Sequence, residues 1–301
     1  MGAFLTSRNV SDVLQGLDGG VVISLVSLSL VMIWRSTHVL NFAQGAIATF
    51  ATYCGMELLT YHVGFWWCAL LSIVVGMAIG GATERLLVRP LYGKSEINPI
   101  VVMVGFLFLL EGLAGMLWST NTRPIPLPFS FVDWQIGGNP VRLSPENVFQ
   151  ISAAVVVATA VALLFRFTKI GLQLRASALA PEVARLLGVR VSRMLTLGWV
   201  LSAGVGAVAA VILASAGGYG SGLTPTIMDL PFVLGFIAAV IGGLESPWGA
   251  VVIGIAYGML QQFVTDYLNA NDVYLYALGL LIVVLMVRPS GLLSRQVVRR
   301  V

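Results

Sequence analysis

Charge is scarce in this chain. Lys and Arg number 17 and Asp and Glu 13 among 301 residues, so 10% are charged, where an ordinary soluble domain carries about 25%. That deficit excludes a water-soluble globule, and a 58% hydrophobic composition with a mean hydropathy of +0.93 places the chain in a bilayer. Cysteine is nearly absent: Cys54 and Cys68 stand in or beside apolar runs, without the paired spacing of a disulfide framework or metal site. The two histidines, His38 and His62, have no ligand-type neighbours at helical spacing, which argues against bound metal. Paired catalytic acids and a nucleophile near a histidine are also missing, so an intramembrane enzyme is set aside. A phosphate-binding loop reads G-x-x-x-x-G-K-[ST]. Gly93, Lys94 and Ser95 supply its second half, but Val88 occupies the place of the first glycine. The chain therefore carries no cofactor of its own, and any ATP it works with is bound by partner subunits.

What is present in abundance is apolar sequence. A helical crossing needs roughly 17 to 25 mostly apolar residues, and nine stretches qualify: 13–34, 42–60, 64–82, 99–119, 147–165, 195–216, 231–244, 248–263 and 273–287. The second, seventh and eighth are short or rich in Gly and Ser, which suits broken or re-entrant helices covered by protein. The expected fold is all-α: a polytopic transmembrane helix bundle of eight to nine spans, forming one membrane domain over 1–301. Residues 1–20 carry Asp12 and Asp18 and lack the apolar core of a cleavable signal peptide, so the N-terminus reads as retained.

Orientation follows from Lys and Arg, which concentrate in cytoplasmic loops. Segment 166–193 holds six basic residues against the single acid Glu182, and the tail holds Arg288, Arg295, Arg299 and Arg300 without an acid. Loop 83–98 adds Arg85, Arg89 and Lys94. Nine crossings put all three inside, the N-terminus and 121–146 outside, and Trp66, Trp67 and Trp118 at the outer interface. The net charge of +4 is explained by this rule, and nucleic acid is not needed. Small residues recur every four positions at Gly198, Ser202, Gly206, Ala210 and Ala214, with further pairs at Gly76/Gly80 and Gly254/Gly258. Such faces let helix backbones approach closely.

Within the basic loop, 180–193 reads as a short helix. Pro181 suits a first helical position, Glu182 the first turn, and Gly188 a left-handed end. Val183, Leu186 and Leu187 form a narrow apolar stripe, and about two turns of helix need a docking surface. That surface is either the chain's own inner face or a cytoplasmic partner.

Glu182, Ala184 and Gly188 spell E-x-A-x-x-x-G, which resembles the coupling motif of ABC importer permeases. The stretches FRFTKIGLQLRASALAPEVARLLGVRVSRM, LNFAQGAIATFATY, TERLLVRPLYG, IAAVIGGLESPWGAVVIGIAYGML and LLIVVLMVRPSGLL resemble permeases of branched-chain amino acid (Liv-type) ABC importers, the LivH-like paralogue in particular. Gln44 stands where that family usually has histidine, and Glu245 where glycine is expected. The resemblance implies that Glu182, Ala184, Arg185, Leu187 and Gly188 couple to an ATPase. It also implies a companion permease, two ATPase subunits, an external substrate-binding protein and a bacterial inner membrane. The proline-bearing outer segment is the least family-like portion and is a candidate place for the binding protein to dock.

Three places are candidates for the path of a small polar solute. Glu111 lies inside an apolar run, where a carboxyl faces the interior and finds a partner. It either lines the path or hydrogen-bonds a neighbouring helix. Asn41, Gln44 and Gly45 open the second stretch, and Gly242, Gly243 and Ser246 separate the seventh from the eighth. Such breaks expose polar backbone to a path or make tight turns. Their similar settings hint at an internal duplication, parallel or inverted. Two other functions stay in view: a urea or short-amide ABC importer, and an ATP-independent channel or secondary transporter with Glu111 or Asp266 coupling ions.

Overall fold

In lipid every backbone amide must find a partner inside the protein, so apolar runs of this length become helices. A computed structural model describes residues 7–95, 97–125, 135–136, 139–140, 145–216, 222–268, 273–288 and 291–293. The described residues form α1 (Ser7–Thr37), α2 (Gln44–Met56), α3 (Phe65–Thr83), α4 (Ile97–Trp118), α5 (Pro145–Phe167), α6 (Lys169–Leu179), α7 (Pro181–Leu186), α8 (Val191–Ser215), α9 (Asp229–Gly242), α10 (Pro247–Tyr267) and α11 (Val273–Val287). One small antiparallel pair, β1 (Gln135–Ile136) with β2 (Asn139–Pro140), is the exception among them. Most of the proline-bearing outer segment and the tail with Arg295, Arg299 and Arg300 lie outside the described residues.

Each of the nine apolar stretches is helical, but they are not equal. Six helices are long and apolar enough to cross a membrane: Val13–Thr37, Phe65–Leu91, Ile97–Trp118, Asn147–Phe167, Val191–Ser215 and Pro247–Tyr267. The eighth stretch, expected to be short or broken, is the full-length α10. The ninth is only Val273–Val287, so α2, α9 and α11 are the short ones. Basic segment 166–193 holds two helices rather than one, because Thr168 caps α6 by accepting a hydrogen bond from the Gly171 amide at 3.0 Å.

Contacts between helices fix their directions. Ser36 of α1 meets Gly198 of α8, and Ser202 Oγ donates to the Ser29 carbonyl at 2.7 Å, so α1 and α8 are antiparallel. Gly16, Gly20 and Ser24 meet Gly258 and Gly254 in turn, which runs α10 against α1. Gly76 and Gly80 meet Ala207 and Ala203, which runs α3 against α8. Read in this way, the nine helices of the apolar stretches alternate up and down. Arg35, Arg89, Arg166, Arg175 and Arg193 thereby gather at one end of the bundle, with the end of α11 at the same level through Gly291 against Gly243.

The small-residue faces found in the sequence are these seams. At the α1–α10 crossing a Cβ on Gly20 would stand 2.8 Å from the Ile255 carbonyl oxygen, so only glycine lets the two backbones touch. The apolar windows of α1 and α8 are 83% and 78% buried, against 17% and 11% for α4 and α5. The bundle therefore has a two-helix spine with α4 and α5 on its outside.

The same contacts reveal an inverted repeat. Helices α1 to α4 correspond to α8 to α11: α1 packs on α10 as α8 packs on α3, and the short α9 packs on α1 as the short α2 packs on α8. Because α1 and α8 are antiparallel, the relating axis lies across the helices rather than along them. The break before α2 matches the break before α9, not the 242–246 turn that the sequence reading set beside it.

Candidate translocation site and coupling surface

The two short helices begin against each other inside the bundle. Gly45 in the first turn of α2 faces Met228 and Phe232 at the start of α9. Gln44 sits at the level of Ser202, about 16 Å along α8 at 1.5 Å per residue.

At α2 the polar groups are engaged within the protein. Asn41 and Gln44 are both 1% exposed. Asn41 accepts from the Ala43 amide and donates Nδ2 to Gln44 Oε1, each at 3.0 Å, and Gln44 Nε2 donates to the Ser202 carbonyl at 3.1 Å. A Cβ at Gly206 would collide with that Gln44 amide, so Gly206 is what admits it.

At α9 the chemistry is different. Asp229 is its first residue, where the helix dipole favours an anion, and its carboxyl is the hydrogen-bond partner of Glu111 on α4. Two carboxyls can hydrogen-bond each other only when one of them carries the proton. Leu110 beside Glu111 packs with Ala43, Ala46 and Ile47, which brings the acid pair to the start of α2. Phe42 adds an apolar wall, its ring 6.4 Å from Phe232 and 6.3 Å from Phe236.

Away from the basic end this junction is covered. Tyr53 stacks on Trp118 at 5.1 Å and donates its hydroxyl to the Leu223 carbonyl at 3.2 Å. Arg123 and Leu223 exchange backbone hydrogen bonds of 3.0 and 2.8 Å, and Arg123 pairs with Glu57 at 2.5 Å.

At the basic end stands α7. Gly188 has φ +82°, its amide donates to Arg185, and the Val189 amide donates to Ala184 at 2.9 Å, the paired bonds of a Schellman end. Ala184 is buried against the chain, whereas Val183, Leu186 and Leu187 are 55%, 87% and 78% exposed. The apolar stripe thus points away from its own bundle.

A buried ionic cluster anchors the helix that follows. The backbone turns through a π-helical segment, Glu84–Val88, and buries Glu84 completely. Arg89 Nη2 donates to Glu84 at 2.8 Å, to Thr196 Oγ1 at 2.7 Å and to the Ser192 carbonyl at 3.3 Å. Burial and the Glu84 carboxylate push the Tyr92 hydroxyl above its ordinary range, and Tyr92 donates to that carboxylate at 3.3 Å.

Comparison with known proteins now places the chain. Residues 13–287 match the family described as branched-chain amino acid transport system, permease component. The chain belongs to that family. The permease is 28% identical to the high-affinity branched-chain amino acid transport system permease protein BraD of Pseudomonas aeruginosa, over 97% of this chain and 98% of BraD. It is 25% identical to LivH of Escherichia coli K12, over 97% of each. Among solved structures, a chain of PsaBC from Streptococcus pneumoniae in complex with Fab shares the fold, with a TM-score of 0.53, 12% identity and coverage of 92% and 91%.

Of the residues singled out in the permease's sequence, Asn41, Gln44, Gly45 and Glu111 come together at the α2–α9 junction. Gly242, Gly243 and Ser246 do not. They form the α9–α10 turn near the basic end, where Gly243 has φ +94° and Ser246 Oγ accepts from the Gly249 amide at 3.1 Å. Glu182, Ala184, Arg185, Leu187 and Gly188 share α7 and its end. Sequence reasoning missed Asp229, whose one signal is an acid opening an apolar run just after a Thr-Pro-Thr turn. It also missed the Glu84–Arg89–Thr196 cluster, because nothing local ties residue 84 to residue 196.

Proposed function

We propose that this permease is the membrane subunit of an ATP-driven importer for branched-chain amino acids. It carries nine traversals in one domain over 1–301, with the N-terminus outside and 166–193 as its cytoplasmic coupling loop. It sits in the bacterial inner membrane with a companion permease, two ABC ATPases that bind the ATP, and an external binding protein. The observation that carries this reading is the outward stripe of α7. A six-residue helix is unstable alone in water, and its apolar face is uncovered by its own chain, so the fit is to a groove in a soluble motor.

Force applied to α7 enters α8 within a few residues, and the Glu84–Arg89–Thr196 cluster passes it to α3. Since α8 also packs on α1 and α2, a tilt of α8 displaces the α2 start relative to the α9 start. The junction suits an amino-acid zwitterion with an apolar side chain. The positive end of the α2 helix dipole suits the α-carboxylate, the Glu111–Asp229 pair the α-ammonium, and Phe42, Phe232 and Phe236 the side chain. The Arg123–Leu223 strap and the Tyr53–Trp118 stack are the outer closure that must part for entry.

The test is reconstitution with the companion permease, ATPases and binding protein, followed by uptake of labelled leucine and labelled urea. ATP-dependent leucine uptake is expected. ATP-dependent urea uptake alone overturns the cargo, and ATP-independent uptake overturns the coupling role of α7.

A further inference from the structure

A second feature of the basic end lies on the bundle's outer surface, away from the α2–α9 junction. Helices α5 and α10 splay apart over α1 and leave a cavity of about 150 Å³. Its walls are apolar, from Leu28 on the floor to Val161 and Trp248 on the sides, yet Arg35, Arg166 and Arg175 converge at its mouth. Leu28 is seven residues from Arg35 on α1, about 10 Å deeper at 1.5 Å per residue. The groove therefore runs from a cationic rim into the apolar depth of the membrane. Trp248 is 62% exposed beside the rim, a placement suited to the headgroup level.

The cationic rim, three arginines, is only partly offset by the chain's own charge. Arg175 is close enough to Arg35 for the two to repel, and Glu245 is the acid that faces them. The described ion pairs are Arg89–Glu84 and Arg123–Glu57, so none of the three rim arginines has a carboxylate within 4.0 Å among the described residues. Arg35 and Arg166 instead lie over the rings of Phe165 and Phe167, at 5.5 and 5.3 Å. Like charges gathered at the lip of an apolar slot are stabilised by an anion between them.

We propose that this groove binds one anionic phospholipid of the same leaflet. Its phosphate sits between Arg35 and Arg175, with Arg166 at the rim, and one acyl chain lies along Val161 to Leu28. Basic pockets between helices, an apolar slot below and an aromatic at the interface are the chemistry of headgroup recognition. A bound lipid would brace α1, α5 and α6 just before α7, and so link the coupling loop to the lipid around it.

The experiment is native mass spectrometry of the assembled transporter, titrated with an equimolar mixture of phosphatidylglycerol and phosphatidylcholine. Preferential retention of phosphatidylglycerol is expected. Arg175→Gln should weaken it about fivefold, as one lost headgroup contact predicts. Val161→Trp, at a half-buried position that lines the slot and borders the core, should remove it while the assembly stays intact, as the same spectra show. Equal retention of both lipids, or phosphatidylglycerol binding unchanged in both variants, overturns the proposal. Loss of bound lipid to inorganic phosphate at equal concentration also overturns it, by making the site a free-anion site. So does a crosslink from position 161 to the companion permease, by giving the groove a protein occupant.

Discussion

The starts of α2 and α9 occupy equivalent places in the inverted repeat, yet they are built in opposite ways. At α2 two neutral amides are spent on the protein itself: Asn41 on the turn, and Gln44 on the carbonyl of Ser202 across the bundle. At α9 a carboxyl, Asp229, meets the carboxyl of Glu111, and Asp229 lies open at its surface. One start is locked and the other presents two neighbouring carboxyls. The repeat supplies the architecture twice, and the chemistry is placed once, which is where a transported solute can be told from the scaffold.

That contrast can be broken most severely at the lock. Gly206→Leu drives a side chain into the Gln44 amide, and overpacking with loss of the hydrogen bond is expected to cost about 3 kcal/mol or more. Expression trials with size-exclusion chromatography should yield no monodisperse permease. Gln44→Ala leaves the buried Asn41 amide without its partner and removes the second bond to the Ser202 carbonyl, at a cost of about 1–3 kcal/mol, read as a lower thermal midpoint in detergent, with uptake retained once the protein is stabilised by cooling.

At the other start the expected effect is on transport rather than stability. Glu111→Gln can still hydrogen-bond Asp229 but removes the shared proton, and uptake is expected to fall roughly tenfold, equivalent to about 1.4 kcal/mol, at normal expression. Asp229→Asn should do the same, and the double variant should be no worse than either single one, because both remove one unit. Unchanged uptake in Glu111→Gln would erase the distinction between the two starts. A modest effect on stability is expected from Gly188→Leu, where a side chain at φ +82° costs about 1–2 kcal/mol. Its signature is ATP hydrolysis that continues while uptake stops, since in the proposed mechanism α7 drives both starts from outside them.

Much of this was legible in the sequence. Apolar length and the positions of arginine gave the helices and the shared basic end, because lipid permits few other solutions. The Pro181 start and the Gly188 end of α7 were readable for the same kind of reason, being set by backbone geometry within a few residues. What stayed hidden depends on distant pairing. Periodicity shows that Gly206 lies on a small-residue face but not that Gln44 fills it. Glu84 reads as a loop residue until Thr196 and Arg89 surround it. The 242–246 turn and the 41–45 break look alike locally and differ only in where the helices after them lie. The α6 helix escaped because its charges spoke for a loop while the Thr168 cap spoke for a helix.

The bond from Gln44 to Ser202 spans 158 residues, and this has a consequence for synthesis. A ribosome adding about 5–20 residues per second needs roughly 8–30 seconds to make that interval. During that time α2, too short to cross alone, has emerged without the helix that receives its side chain. The first half of the permease must therefore wait in the membrane with its lock unpaired, and the arrival of α8 is the moment at which the junction can first close.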